Sequence, residues 1–435
     1  MKRMSLLALL AAFAMLVAAC GGGETAEETT TTAAPATTTT TVATTTTEPP
    51  PPIELLVWAD ANRAPVVQSA ATAFTEATGV IVQVEIVDFG QIKDQVAVAG
   101  PAGEGPDVFV GAHDWTGELA ANGVAEAIDL GAKAADFFDV AVTAFSYEGD
   151  VYAVPYATES VALYFNTDLV AEAPATFEEI GAICDGLTGV ENCVGVPGGG
   201  DGGDAYHNYP FVSALGGYIF KYDPATGYDP TDVGLDSDGA VAGIEFLAGL
   251  VEDGVVGSVN YDGAKNLFLE GKEPFWITGP WELGGLYEQT AINWSVAKLP
   301  TIGGNAPAPF VGAQGFFLSA FSENKVVAQS FLLDFMATED AMRALYDADP
   351  RNPAFKPVFD QLASTPTDPR TGRSNEVAQT FALSAADGVP MPNIPQMGSV
   401  WGPLGDNILA VRNGDATAAD AMKAAAEAVR VAVAG

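Results

Sequence analysis

The chain has 435 residues, of which 48% are hydrophobic, and 56 aspartates and glutamates outnumber 18 lysines and arginines. A formal net charge of −38 would repel phosphate backbones, so the composition excludes a nucleic-acid-binding protein. The sequence has no CxxC motif and no histidine pair at ligand spacing, so it implies neither a metal site nor a cofactor.

The N-terminus has the pattern of an export signal. Lys2 and Arg3 precede an apolar run at 6–17 that is too short to span a membrane. The order VAAC, ending at Cys20, resembles the bacterial lipobox, in which cleavage precedes a cysteine that then carries lipid. We therefore expect residues 1–19 to be a lipoprotein signal peptide and the protein to be exported and lipid-anchored at the outer face of the cell membrane. The alternative is a signal peptide followed by an unmodified cysteine.

A low-complexity segment follows the cysteine. Residues 24–52 are almost entirely Thr, Ala, Pro and Glu, with too few apolar side chains to offset the entropy of ordering them. Residues 20–52 are therefore predicted to be the lipidated cysteine and a disordered Thr/Pro-rich tether. A flexible coil of this length would hold the folded part on the order of 30 Å from the membrane.

The remaining residues, about 380 of them, exceed the size at which one hydrophobic core usually suffices, so two lobes are expected. The apolar periodicity predicts, in chain order, strand 53–59, helix 65–77, strand 81–87, helix 91–99, strand 108–110 and helix 116–122. Strand, helix and strand at this spacing form a βαβ unit, which indicates an α/β fold with a parallel sheet. Asp114 follows the carboxyl end of the third strand, where open α/β sheets bind ligands.

Further elements are predicted downstream. Two strands, 152–155 and 161–165, are separated by residues 157–159, where we expect the first crossing between lobes. Thr176 and Glu179 form a predicted capping box at the start of a helix. Other predicted helices span 240–250, 325–337 and 417–431.

Several long sequence blocks carry a family resemblance. They are GPDVFVGAHDWTG at 105–117, YAVPYATESVALYFNTDL at 152–169, ALGGYIFKY at 214–222, GKEPFWITGPW at 271–281, PFVG at 309–312 and MPNIPQM at 391–397. These blocks resemble the extracellular solute-binding proteins of carbohydrate ABC importers, and most closely the bacterial maltose- and maltodextrin-binding proteins. The resemblance covers nearly all of residues 53–431.

The resemblance implies a two-lobed, periplasmic-binding-protein-like α/β fold, in which each lobe is a mainly parallel sheet flanked by helices. A ligand cleft would lie between the lobes, which close on an oligosaccharide before delivery to the membrane subunits of an ABC permease. By this likeness the N-lobe comprises 53–157 and 300–350, and the C-lobe comprises 158–299 and 351–435. A monomer is expected.

The resemblance also implies ligand-binding residues. Asp114 and Glu159 align with carboxylates that accept hydrogen bonds from sugar hydroxyls. Asp60 and Arg63 fall near a polar pair at the cleft edge, although the loop here is one residue shorter. The other positions implied are Asp204 in place of a glutamate, Tyr206 as a stacking tyrosine, and Trp281 and Trp401 as aromatic platforms.

The sequence departs from the best-known maltose binders at four further positions. Gly111 replaces a tryptophan and Trp115 an arginine, while Gly402 and Gly405 replace a tyrosine and an arginine. These losses leave the chain-length preference and the sugar linkage open. A shifted aromatic side chain, Trp115 or Tyr209, is the candidate that would compensate, so Trp115 joins the predicted ligand-binding residues.

The other cysteines are Cys184 and Cys193, which would lie outside the cell in the exported part. We expect them to form a disulfide that closes a short loop; two free thiols are the alternative. Trp58, Trp276 and Trp294 lack a block context and are predicted to be packing residues.

Three functional alternatives stay open at this stage. The receptor could bind trehalose or sucrose instead of a maltodextrin, or serve sensing instead of uptake. A secreted glycosidase that uses Asp114 and Glu159 as its carboxylate pair is a remote alternative, since the resemblance is to proteins that are not enzymes.

Overall fold

The structure is a computed structural model that describes residues 53–198, 203–223, 226–367, 372 and 374–434. The predicted signal peptide, the lipidated Cys20 and the tether lie outside the described residues. Within the described ranges, every helix is too short or too polar to cross a membrane.

The strands and helices alternate along most of the chain. The strands are β1 Glu54–Ala59, β2 Ile81–Ile86, β3 Val108–Ala112, β4 Ala125–Glu126, β5 Ser146–Tyr147, β6 Asp150–Val151, β7 Ala153–Glu159, β8 Ala162–Asn166, β9 Val194–Gly195, β10 Phe220–Asp223, β11 Gly227–Val233, β12 Phe275–Thr278, β13 Trp294–Ala297, β14 Phe310–Ser319, β15 Asn352–Pro353 and β16 Val389–Pro390. The helices are α1 Ala64–Thr78, α2 Phe89–Ala99, α3 Thr116–Ala121, α4 Asp139–Ala144, α5 Phe177–Asp185, α6 Ala205–Ala214, α7 Asp238–Glu252, α8 Tyr261–Leu269, α9 Leu283–Glu288, α10 Lys325–Ser330, α11 Glu339–Ala348, α12 Lys356–Ala363, α13 Glu376–Ala386, α14 Trp401–Arg412 and α15 Ala418–Ala434.

The first sheet has the strand order β15-β7-β14-β3-β1-β2. Its β1, β2 and β3 are parallel, with Val57 opposite both Val84 and Val108. The long strand β14 runs antiparallel to both β3 and β7. The predicted βαβ unit is therefore present, and the strands beside it make the sheet mixed.

The second sheet has the order β13-β8-β12-β9, and only its β12–β9 pair is parallel. The α/β fold is confirmed, but the expectation of mainly parallel sheets holds only for β1 to β3. Strands β7 and β14 explain the difference in the first sheet. They carry the chain between two cores and do not return it through a helical crossover, the connection that parallel neighbours need.

Among the described residues, buried hydrophobic side chains form two large clusters and a smaller third one. The first draws on residues 55–157 and 313–362, and the second on 161–310 and 391–429. The chain thus passes between these clusters after residue 157, within β14, and again between residues 362 and 391. The lobe boundaries given above stay a prediction, and this packing favours a first lobe that extends to about residue 362.

Three local predictions need correction. Residues 157–159 do not separate two strands but end β7, because Thr158 and Glu159 pair with β14. The helix expected at 325–337 is α-helical only in its first part, α10, and continues as a π-helical segment from Phe331 to Met336. Thr176 does stand at the N-cap of α5, but its side chain makes no capping bond; the carboxylate of Glu179 instead accepts a hydrogen bond from the Ala175 N–H at 3.1 Å.

Candidate functional site

A cavity of about 1290 Å³ lies where residues of the two large clusters meet. Eight of the nine predicted ligand-binding residues line it: Asp60, Arg63, Asp114, Trp115, Glu159, Tyr206, Trp281 and Trp401. The ninth, Asp204, lines an adjoining cavity of about 410 Å³ that shares Tyr206, Tyr261 and Trp401 with the first. The structure thus brings the set together, and ligand binding by these residues stays a prediction.

The loop between β1 and α1 places the first polar pair. The Asp60 carbonyl accepts hydrogen bonds from the backbone of Arg63 and Ala64, which folds the loop back on itself. The Asp60 carboxylate accepts a further bond from the Asn62 N–H at 3.0 Å. Arg63 is only 2% exposed, and its Nε donates a short hydrogen bond to the Tyr156 hydroxyl.

A buried chain of alternating charges runs along one wall of the cavity. Arg63 pairs with Asp60 through one nitrogen and with Asp349 through another, at 3.0 Å. Arg351 then donates to Asp349 from Nε at 2.8 Å and pairs with Glu159 through Nη1. Buried ions are stable only when paired, so these five side chains hold one another in place.

Glu159 is fixed at the end of β7, where the strand enters the second cluster. Its second oxygen accepts a hydrogen bond from the Gln314 side chain at 2.9 Å, and Gln314 also lines the cavity. The amide oxygen of Gln314 is buried and has no partner among the described residues. Since an unpaired buried acceptor costs free energy, this oxygen is suited to a donor from a ligand.

Asp114 lies in a short 3-10 turn directly after β3. Burial raises the pKa of its carboxyl to about 7, and Lys93 and the Trp401 side chain act in the opposite direction. An acid that is neutral at low pH and charged above neutrality can donate or accept a hydrogen bond. The role of the Asp114 carboxyl group in the cavity wall therefore depends on pH near neutrality.

Trp281 is held from several sides. A Cβ added at Gly279 would overlap the Trp281 ring, so the indole lies directly against that glycine. The indole N–H donates to the Tyr261 hydroxyl at 2.6 Å, and the Arg351 guanidinium lies 5.6 Å from the ring centroid. Tyr261 in turn donates to Glu282. The ring is therefore preorganised at the cavity wall.

Tyr206 and Trp401 continue the aromatic wall, with ring centroids 6.5 Å apart. The Tyr206 hydroxyl is buried without a hydrogen-bond partner in the described part of the chain. Asp204 caps α6 by accepting from the His207 N–H at 2.9 Å, and its other oxygen meets the imidazole at 2.7 Å. Burial alone would raise the pKa of Asp204, but His207 outweighs it and lowers the pKa below its ordinary value.

Gly402 and Gly405, which replace a tyrosine and an arginine of the maltose binders, differ in how much space surrounds them. A side chain at Gly402, which is exposed and lines neither cavity, would enter open space. Gly405 instead contacts the backbone of Gly203 so closely that a Cβ would lie 2.6 Å from the Gly203 carbonyl oxygen. Tyr209 was one candidate to compensate for lost aromatics; it is 3% exposed, stacks on Phe310 at 3.7 Å and lies outside the large cavity.

Sequence reasoning missed several residues of this wall. They are Phe89, Tyr261, Glu282, Gln314 and Arg351, all of which line the cavity, with Asp349 behind them. Arg351 was the one with a usable signal, because it is one of few cations and follows a proline in a turn-like segment. The others occupy ordinary helix and strand positions.

The tryptophans and the histidine that were predicted to be structural make packing contacts or hydrogen bonds within the protein. Trp276 is fully buried, Trp58 donates to Glu85 at 2.9 Å, and Trp294 packs with the third cluster, so the packing prediction is confirmed for all three. His113 is buried, and its two ring nitrogens contact the Met391 carbonyl and the Ala313 N–H, each at 2.9 Å. Among the described residues no group of His, Cys, Asp or Glu is arranged to hold a metal ion.

The cysteines predicted to pair lie next to each other. Cys184 is near the end of α5 and Cys193 precedes β9, with Cα atoms 5.9 Å apart. This separation permits a disulfide without movement of the backbone.

Comparisons with known proteins give a consistent result. A galactooligosaccharide-binding protein of Bacillus subtilis is 28% identical over 383 residues, covering 86% of this chain and 88% of the relative. A maltooligosaccharide ABC transporter solute-binding lipoprotein of Streptococcus pneumoniae is 29% identical over 80% of this chain and 82% of its own length. A maltotriose-binding protein of Pyrococcus abyssi is 29% identical over 80% and 75%, respectively.

The family model described as bacterial extracellular solute-binding protein matches residues 69–371, which is more than half of the chain and takes in parts of both large clusters. The match agrees with the resemblance carried by the sequence blocks. The chain belongs to the bacterial extracellular solute-binding protein family.

Proposed function

We propose that this protein is the extracellular receptor of an ABC importer and binds an oligosaccharide, foremost a maltodextrin, in the large cavity. The observation that carries the proposal is the composition of the cavity wall. It combines three tryptophans with a buried network of carboxylates, arginines and amides.

The chemistry of a sugar fits this wall. A pyranose ring has apolar faces and a belt of hydroxyls, and flat aromatic side chains cover the faces. Carboxylates accept hydrogen bonds from hydroxyls, while Arg63 and Arg351 offer donors to sugar oxygens. Each charged hydrogen bond contributes about 1.5 to 3 kcal/mol in a desolvated site, so a few bonds and two or three rings suffice for micromolar binding after association costs.

The proposal extends to how the protein works in the cell. The two lobes close on the sugar, and the closed form delivers it to the membrane subunits of the permease. Cys20 carries the lipid that anchors a monomeric receptor to the cell membrane, and Cys184 and Cys193 form a disulfide in that oxidising setting. Replacement of Cys20 by serine should release the protein from the membrane fraction.

The identity of the sugar is the finer part of the proposal. The relatives carry the names of maltooligosaccharide, maltotriose and galactooligosaccharide binding, which supports an oligosaccharide. Trehalose or sucrose is the alternative within the same role.

A thermal-shift screen tests the proposal. The panel contains maltose, maltotriose, longer maltodextrins, a galactooligosaccharide, trehalose, sucrose and cellobiose. A rise in melting temperature with maltodextrins alone would support the full proposal, because a ligand stabilises only the state that binds it. A response to another sugar alone would keep the receptor and change the ligand.

One observation favours a second candidate, a glycosidase. The raised pKa of Asp114, about 7, is a property that a general acid needs. Glu159, its partner in such a reaction, is instead tied to Arg351 and Gln314, which leaves it poorly placed as a free nucleophile. Prolonged incubation with maltotriose should release no new reducing ends; their appearance would establish an enzyme.

A further inference from the structure

The first lobe contributes an aromatic ring, that of Trp115, which packs directly on Gly111. A Cβ added at Gly111 would lie 2.7 Å from Cε3 of Trp115 and 2.8 Å from its Cζ3, so the indole lies directly against that position. Real Cβ atoms do not approach other atoms this closely, and any larger residue at 111 would displace the ring. The aromatic ring that covers Gly111 in β3 is thus that of Trp115, four residues further along the chain.

Phe89 extends this surface. Its ring centroid lies 5.2 Å from that of Trp115, with the two planes inclined by 31°. The Arg63 guanidinium lies 5.6 Å from the Phe89 ring and is itself held by Asp60 and Asp349. Both aromatic residues line the large cavity and are half-buried, so each has surface left for a ligand.

The rim beside these rings is also apolar. Ile86, at the end of β2, lines the cavity and is 68% exposed. A large aliphatic side chain in this position gains free energy when a ligand covers it. Ile86, Phe89 and Trp115 are therefore apolar residues of the cavity wall on this side, and we call them the first-lobe platform.

The wall contributed by the second lobe has the same construction. There the Trp281 ring lies against Gly279, as Trp115 does against Gly111. In both cases a side chain at the glycine position would overlap the ring, so the glycine allows the ring to lie against the backbone of the wall before a ligand arrives. Preorganised rings contribute more to affinity, because less conformational entropy is lost on binding.

We propose that the first-lobe platform is a second stacking surface for a pyranose ring, and that position 111 determines ligand affinity by seating Trp115. The inference rests on the proposed function and deepens it.

A double-mutant cycle on the purified protein tests the seating of Trp115, with Kd for maltotriose measured by calorimetry. Trp115→Ala should weaken binding about fivefold or more, the loss expected for one stacked ring. Gly111→Ala should weaken it by a similar factor, because the methyl group displaces the indole. The double variant should bind no worse than Trp115→Ala alone, since Gly111→Ala acts only through that ring.

Two matched controls separate the platform from general damage. Gly249→Ala adds the same methyl group in α7, where nothing lies within 4 Å. Trp294→Ala removes a tryptophan that is outside the cavity. Both should leave Kd within about twofold. Because Gly111→Ala also approaches Phe317, Phe89→Ala provides an independent test if that variant is unstable, with an expected weakening of about two- to fivefold.

The outcomes distinguish this inference from the proposed function. If Trp281→Ala weakens maltotriose binding but Trp115→Ala and Phe89→Ala do not, the platform is overturned and the receptor stands. If the effects of Gly111→Ala and Trp115→Ala add fully, the seating of Trp115 is overturned. If the unaltered protein binds no sugar of the panel, the proposed function fails and this inference fails with it.

Discussion

At the scale of single residues, the cavity depends on side chains that are fixed before any ligand binds. Trp281 lies against Gly279, donates to Tyr261 and faces Arg351, so its ring has little freedom to move. Glu159 is held by two partners in the same way. Affinity should therefore respond strongly to single substitutions that leave the fold intact.

Trp281→Ala should weaken oligosaccharide binding at least about tenfold, because it removes a fixed indole ring from the cavity wall. The melting temperature of the ligand-free protein should stay within a few degrees, since the ring is only partly buried. Calorimetry and thermal unfolding measure the two effects. An equal loss of fold would mean that Trp281 is a core residue and not a platform.

Asp114 should make both stability and affinity depend on pH. Its pKa is raised by burial from 3.8 to about 7, so ionisation opposes folding, and stability falls as the pH rises from about 4 through 7. At full ionisation the cost is on the order of 4 kcal/mol. If sugar hydroxyls donate to the carboxylate, affinity falls as the pH drops below about 7.

The variant Asp114→Asn tests both effects. It should raise the melting temperature of the ligand-free protein at pH 8, weaken sugar binding there, and abolish most of the pH dependence of Kd between pH 5.5 and 8.5. Calorimetric titrations across this range provide the measurement. A wild-type Kd that is constant across the range would contradict the proposed role of the carboxylate.

At the scale of elements, the parts that sequence predicted well are those with local signals. The unit β1–α1–β2 followed from apolar periodicity, and Asp114 was placed correctly because it directly follows a strand. The contacts of the charge chain had no such signal: Arg351 and Glu159 are separated by 192 residues, and only the tertiary fold brings them together.

The antiparallel pairing of β14 with β3 and β7 was not predicted either, because it also depends on the tertiary fold. Alternating strand and helix patterns look alike whether a strand returns through a crossover or passes to another core, and β14 does the latter. Its Phe310 belongs to the second cluster and Phe316 to the first, which no local pattern reveals. Trp115 was one candidate to compensate for the lost aromatic side chains, but its contact with Gly111 was not predicted, since a glycine in a strand does not reveal which ring packs on it.

The disulfide expected between α5 and β9 should contribute to the stability of the protein. With Cys184 and Cys193 joined, the closed loop is short, and chain entropy gives about 2.5 to 3 kcal/mol of stabilisation. Cys184→Ser should therefore lower the free energy of unfolding in urea by roughly this amount under oxidising conditions. Neither cysteine lines the large cavity, so Kd should not change; a large change would show that the loop reaches the ligand.

At the scale of the whole molecule, two hydrophobic cores share three chain crossings, and the large cavity lies between them. Few covalent links between two stable cores permit hinge motion while each core stays intact.

The charge distribution fits a neutral ligand: the chain carries −38 overall, yet three of its 18 lysines and arginines line this cavity and are paired there with acids. An isolated charged ligand would have to break that pairing.

We claim that this cavity binds an oligosaccharide, and calorimetric titration of the purified protein with maltotriose decides whether it does. We predict one site per chain and a Kd in the micromolar range, roughly −8 kcal/mol. Absence of binding heat for maltotriose, longer maltodextrins and galactooligosaccharides, together with no thermal shift from any of them, would contradict the claim.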